Sequence, residues 1–223
     1  MGDFQYKSAK DSIAEEIRKL IYRGDLAPGA RISLDDLTQR FGLSRTPVRD
    51  AIMELRGEGL TDVRPRVGVF VRIISDQEAL DVYRIKASLE PLAAGLAAER
   101  GAETDRIRFF RSGSKLVEAA EERDIDRYIS LLEERRDTMF ALADSQPIRD
   151  AFSLLDGRVR LLRFRNLSEP SHLEKSAREN LRVAEAIMQG DAAGARSLAA
   201  LHGLEAVERV EALLREDRAQ AGS

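Results

Sequence analysis

A chain of 223 residues without cysteine has length for one or two modest cores, and it excludes disulfides and thiolate metal sites. An apolar fraction of 43% beside a charged fraction of 34% fits a folded, water-soluble protein, and no window is apolar enough for a transmembrane helix. Residues 1–72 carry 13 Lys and Arg against 11 Asp and Glu, the remainder 23 against 28, so a nucleic-acid contact has to come from local placement rather than bulk charge.

Residues 1–7 are expected to be loose, and with Asp3, Tyr6 and Lys7 and no apolar run they do not make a signal peptide. Ser8 to Arg23 reads as an amphipathic helix with Ile13, Ile17, Leu20 and Ile21 on one face, stopped at Gly24. Asp25 to Ala30, with Pro28-Gly29, is a turn. Ser33 to Val71 then reads as a winged helix-turn-helix. A short helix, Asp35 to Phe41, spaces Leu37 and Phe41 four apart, and Gly42 supplies the turn. Ser44 is placed to cap a second helix, and Pro47 fits its first turn, where a missing N–H costs nothing. That helix is expected to bury Val48, Ala51, Ile52 and Leu55. At about 100° per residue, Arg45, Arg49 and Arg56 fall in a stripe about 40° wide beside the buried face, with Asp50, Glu54 and Glu58 behind. Basic side chains at the start of such a helix suit a major groove, where phosphates and guanine edges both offer acceptors. Two β-rich runs, Leu60–Arg64 and Val67–Ile73, make a hairpin with Arg64 and Arg66 at its tip and Gly68 just after it, which is a wing.

Past the wing, Ser75-Asp76-Gln77-Glu78 is a capping box opening a helix to about Arg100. One of its apolar faces carries Tyr83, Ala87, Ala94 and Ala98, the other Val82, Ile85, Leu89, Leu92 and Leu96; one face can meet the chain's own bundle and the other a second subunit. Breaks at Gly101, near Asp124, at Ser145-Gln146-Pro147, at Ser168-Glu169-Pro170 and at Gly190-Asp191 give five more helices, with a frayed tail from Arg218. The expected fold is therefore mainly α. A winged helix-turn-helix of three helices plus a β-hairpin occupies residues 1–73, and an all-α six-helix bundle occupies residues 74–223.

Helical phase turns four polar residues toward that bundle's interior: Arg135, Arg158, Asn180 and His202. A buried guanidinium needs an anionic partner, either an internal acid such as Glu90 or a ligand carboxylate. These residues are expected to form a largely metal-free pocket for a small organic acid. The alternative keeps them as satisfied polar groups of a bundle without ligand. No nucleophile elbow, phosphate-cradling glycine loop or His-Glu-x-x-His is present, so an enzyme is not expected.

Leu26-x-Pro28-Gly29-x-Arg31-Ile32, Phe41 to Ala51, Glu58-Gly59-Leu60 and Gly68-Val69-Phe70-Val71 resemble the DNA-binding domain of GntR-type bacterial transcription regulators. The resemblance implies that Arg45, Thr46 and Arg49, behind Ser44, touch operator bases and phosphates. It also implies that Gly68 lets the wing, with Arg64 and Arg66, enter the minor groove. Thr38 departs from the family's usual alanine and Asp50 from its glutamate. Lys86 to Ala94, Ala184-x-Ala186-Ile187 with Gly190-Asp191, and His202 resemble the FadR-like (FCD) effector domain, with six helices suggesting its VanR-like subgroup.

That family usually dimerises, binds small carboxylates and often holds a divalent metal on one Asp and three His. Ungapped matching puts Glu133, Asp137, Asn180 and His202 at those positions, so only one histidine survives. No cofactor is favoured. The alternative is a divalent metal held by Glu133, Asp137 and His202. The expected protein is a cytoplasmic homodimer that binds double-stranded operator DNA under control of a small organic acid, with no membrane partner. Two further alternatives are a metal-dependent regulator and an architectural DNA-binding protein without effector.

Overall fold

The computed structural model describes residues 9–22, 24–166 and 170–221. The expectations placed on residues 1–7, Ser8, Arg23, Ser168, Glu169 and residues 222–223 lie outside them. The chain divides into two compact units, Met1–Ser75 with Leu155–Leu161, and Asp76–Leu154 with Leu162–Ser223.

In the first unit, α1 (Ala9–Tyr22), α2 (Leu34–Phe41) and α3 (Arg45–Gly57) pack with a small sheet of β1 (Arg31–Ile32), β2 (Thr61–Arg64) and β3 (Gly68–Val71). Ile13, Ile17 and Ile21 of α1 and Val48, Ala51, Ile52 and Leu55 of α3 are buried in one core with Leu60, Val69 and Val71, as the 3.6-residue spacing predicts. Ser33 caps α2, its Oγ accepting from Asp36 N at 3.2 Å, and Gly42 ends that helix in the left-handed region at φ 63°. Thr38 keeps its hydroxyl on α2 itself, donating to the Asp35 carbonyl at 2.7 Å.

Ser44 behaves differently from the sequence expectation. Its backbone is extended as an N-cap should be, but its side chain makes no capping hydrogen bond. An N-cap oxygen accepts from the second or third helical N–H, and the third position here is Pro47, which has none, so only the Thr46 N–H is open to it. The sheet also holds one strand more than a hairpin. β1 pairs antiparallel with β3, Arg31 opposite Phe70, giving the order β1-β3-β2.

The second unit is helical throughout its described residues: α4 (Asp76–Arg100), α5 (Glu103–Arg111), α6 (Gly113–Glu121), α7 (Ile125–Leu142), α8 (Gln146–Asn166), α9 (Pro170–Gln189) and α10 (Ala192–Ala221). Seven helices therefore stand where six were expected, because the stretch after Gly101 is broken at Ser112-Gly113. Gly/Ser pairs are common kink sites, so the signal was present. The helix count that suggested the VanR-like subgroup is accordingly not found. α10 is helical through the expected fraying point, Arg218.

α4 turns its alanine-rich face inward, and of the second face Val82 alone is buried, at 3% exposure. Tyr83, Ala94 and Ala98 are buried, whereas Ile85 and Leu92 are 45% and 42% exposed. α10 comes so close that a Cβ at Gly203 would lie 2.8 Å from Ala87 Cβ, which is why small residues face each other there.

Candidate nucleic-acid interface and helical cavity

Ser44, Arg45, Thr46 and Arg49 are all exposed at the start of α3, with the Arg45 side chain 77% accessible. Arg45 Nη2 donates to Asp35 Oδ1 at 2.7 Å, a surface pair worth little to stability but sufficient to bias the arginine's direction. The acidic back of α3 is occupied by α1. Arg18 donates to Glu58 at 2.8 Å and to Glu54 at 2.7 Å, and Lys10 reaches Glu54 at 2.9 Å. The hydrogen bond from Lys10, then that from Arg18, outweigh burial and hold the Glu54 carboxyl below its ordinary value. Two acids are thus neutralised behind the helix while its basic edge stays open.

The wing turn is closed by Val67 N donating to Arg64 O at 3.1 Å, with Pro65 and Arg66 between them. Arg64 is exposed and stacks over Phe70, 4.6 Å from the ring centroid. Arg66 is exposed at φ 64°. Gly68 has φ 144°, and a Cβ there would lie 3.1 Å from Arg31 Nε. Arg31 itself is exposed and donates to Val67 O at 3.3 Å. The sheet thus brings a third arginine, Arg31, to the wing, and a two-residue strand shows no alternation that could have announced it.

In the second unit, a cavity of about 80 Å³ is lined by Arg135, Asn180 and His202 together with Lys86, Glu90, Arg136 and Arg209. Three of the four residues expected to converge do so. Arg158 does not: it lies in Leu155–Leu161, which belongs to the first unit, where Leu161 packs on that unit's core and Leu154, expected inside, is 71% exposed. Periodicity identifies an apolar face without saying which core the face meets. Sequence reasoning also missed two buried cations. Lys86 pairs with Glu90 at 2.6 Å, and Arg136 pairs with Asp137 at 3.0 Å. An i, i+4 Lys–Glu spacing ordinarily marks a solvated surface.

Arg135 is 5% exposed. Its Nη1 donates to Phe109 O at 2.9 Å and to Ser112 Oγ at 2.7 Å, at the joint between α5 and α6, and its guanidinium lies 4.4 Å from the Phe109 ring centroid. Burial pushes its pKa down to about 10, because the acceptors around it are neutral. His202 Nδ1 lies 2.6 Å from Glu179 Oε2; a carboxylate only accepts, so Nδ1 carries the proton. Burial, the largest single influence, works against ionisation of Glu179, but the hydrogen bond and charge of His202, a hydrogen bond with Glu205 and the charge of Arg209 together outweigh it, and the carboxyl ends below its ordinary value. Asn180 Nδ2 donates to Ser176 O at 2.9 Å and lies 3.5 Å from His202 Nε2.

The residues at the family's metal positions do not fit a divalent cation. Glu133 and Asp137 are not part of the cavity wall, and Asp137 is exposed and engaged by Arg136. Asn180 directs its amide nitrogen, not an oxygen, toward His202. Lys86, Arg135, Arg136 and Arg209 surround the space instead, and cations repel a cation. No group of three or more His, Asp and Glu able to hold a metal occurs among the described residues.

A winged reading head and a separate helical unit with an internal cavity define the class of protein, a winged helix-turn-helix transcription regulator with an appended helical domain. The gntR family of bacterial regulatory proteins matches residues 9–71 and the FCD domain matches residues 81–206, so the chain belongs to the FCD branch of the GntR-type regulators. That family consists of transcription regulators, not enzymes. The chain is 25% identical over 201 residues to the HTH-type transcriptional repressor RspR of Escherichia coli (strain K12), covering 90% of this chain and 88% of that one. It is 22% identical over 204 residues to the HTH-type regulator YdhC of Bacillus subtilis (strain 168), covering 91% of each. Among solved structures, E. coli McbR/YncC superposes with a TM-score of 0.77 at 22% identity, over 94% of this chain and 98% of that one. A GntR regulator from Rhodococcus sp. RHA1 superposes with a TM-score of 0.74 at 19% identity, over 91% and 97%. No described helix is long and apolar enough to cross a membrane.

Proposed function

We propose that this chain is an operator-specific, cytoplasmic repressor whose DNA affinity is set by a small carboxylate bound in the helical cavity. The DNA half is supported by one arrangement above all: Arg45, Thr46 and Arg49 stand exposed at the start of α3 while Glu54 and Glu58 behind them are held by α1. Arg45 and Arg49 take base edges and phosphates, Ser44 and Thr46 add hydroxyl contacts, and Arg64 and Arg66 carry the wing to the adjacent groove, with Gly68 at its base. Repression follows the precedent of RspR, whose name describes a repressor.

The effector half is supported by the cavity that gathers Arg135, Asn180 and His202. A homodimer is the working form. Ile85 and Leu92 of α4 and Leu201 and Leu204 of α10 are large apolar side chains left exposed, and burying them against a second copy presents two reading heads to a two-fold operator. The ligand then changes DNA affinity by the difference in its own affinity for the two states of the dimer.

Selection of binding duplexes from a random library, followed by titration of the selected duplex with the full chain, tests the DNA half. A selected sequence with two-fold symmetry supports the reading, and failure to enrich any sequence contradicts it. A thermal-shift screen of small carboxylic acids tests the effector half, since a ligand specific to the folded state raises the melting temperature.

A further inference from the structure

We infer that the free edge of the Arg135 guanidinium, not a metal ion, is the anion receptor of the helical cavity, and that it takes one carboxylate of a short monocarboxylic acid. This inference rests on the effector reading above and specifies its chemistry.

The first observation is how the guanidinium is held. Both hydrogen bonds of Arg135 use Nη1, and Phe109 supports the plane of the group. Its Nε is buried without a hydrogen-bond partner, and neither Nε nor Nη2 donates to any described residue. Those two nitrogens form one edge of the fork, the edge that binds a carboxylate through two parallel hydrogen bonds. A group fixed at one nitrogen with its opposite edge unspent is preorganised for such an anion, since little side-chain freedom remains to be lost on binding.

The second observation is a charge count. Every other cation on the cavity wall has an acid: Lys86 has Glu90 at 2.6 Å, Arg136 has Asp137 at 3.0 Å, and Arg209 has Glu205 at 3.8 Å. His202, a cation only when both ring nitrogens carry protons, has Glu179 at 2.6 Å. Arg135 alone forms no ion pair among the described residues. One uncompensated positive charge in a nine-tenths-buried site calls for one negative charge, and a second carboxylate would meet only cations that already face an acid of the chain.

The third observation is size. At roughly 10–15 Å³ per water-sized occupant, a cavity of about 80 Å³ holds an acid of roughly three or four carbons. Leu132, Met139 and Val183 supply apolar wall for its body. Arg135 and Phe109 also line an outer cleft of about 490 Å³, so the receptor lies beside a way in from solvent.

The test uses the full chain and three measurements. Thermal shift is recorded with propionate, lactate and pyruvate against malonate and succinate, each with EDTA and with zinc chloride. Zinc chloride alone is titrated calorimetrically into the wild type. The same acids are titrated into Arg135→Gln and Arg135→Lys, with folding checked by circular dichroism. The inference expects monocarboxylates to bind better than dicarboxylates, equally with EDTA or zinc, with no stoichiometric zinc binding. It expects Arg135→Gln to weaken them by about tenfold or more, and Arg135→Lys, which keeps the charge but loses the fork, not to restore them.

A shift that requires zinc, one-to-one zinc binding, a preference for dicarboxylates, or undiminished binding by folded Arg135→Gln overturns the inference and leaves the effector reading standing. Silence from every acid overturns both. The wild-type comparisons decide the matter even if the variants do not fold.

Discussion

The two units use arginine in opposite ways. On α3 the guanidinium groups of Arg45 and Arg49 stand in water, where holding a positive charge costs almost nothing and a polyanion can reach them. In the helical unit Arg135 is buried beside a carbonyl, a hydroxyl and an aromatic ring, and burial lowers its pKa to about 10. An exposed arginine needs no partner within its own chain, whereas a buried one without an acid keeps an electrostatic demand that a ligand can meet. The same side chain therefore suits a macromolecular surface in one unit and, on the reading proposed above, a small-molecule site in the other.

The largest effect expected on the exposed side of this contrast is on DNA. Arg45→Ala and Arg49→Ala should each cost about 1–3 kcal/mol of affinity for a selected duplex. Their melting temperatures should stay close to wild type, because neither side chain holds the fold together. Fluorescence anisotropy and thermal unfolding measure the two quantities separately, and a variant that loses both would mean that these arginines are structural.

A smaller effect concerns the charges tied down behind α3. Lys10 and Arg18 hold the Glu54 carboxyl below its ordinary value near 4.5. A depressed carboxylate contributes stability above that ordinary value and loses it as pH falls through the folded-state value. Below about pH 4.5, wild type should therefore lose more stability than Glu54→Gln does. Urea unfolding at pH 7 and at successive steps below 4.5 measures this; parallel losses would show the pairing to be dispensable.

The smallest effect separates two serines that look alike in sequence. Ser33→Ala should cost about 1 kcal/mol, the usual value for losing an N-cap. Ser44→Ala should change stability by no more than a few tenths of a kcal/mol, since its hydroxyl caps nothing. Denaturant titration of the two variants makes the comparison directly.

The reading head was legible because its signals are local. Val48, Ala51, Ile52 and Leu55 repeat at helical spacing, and the basic stripe beside them follows from the same count. What was not legible depends on partners distant in sequence. Arg31 reaches the wing only because β1 pairs with β3. Arg135, Asn180 and His202 fell correctly on inward faces, since each sits on a helix that closes over one cavity. Arg158 had the same phase on α8 but lies in a segment that joins the other unit's core, which no count along a single helix can reveal. Lys86 and Arg136 escaped notice because a buried cation beside an acid has the same sequence pattern as a solvated ion pair.

The central claim is that an anion received by Arg135 alters what α3 does to DNA. Its most direct test is the affinity of the full chain for a selected duplex, measured with and without the monocarboxylate that gives the largest thermal shift, in wild type and in Arg135→Gln. The account predicts that the acid changes the wild-type affinity by about 5-fold or more and leaves the variant's affinity unchanged. Equal wild-type affinity at saturating acid, or an equal response in the variant, would contradict it.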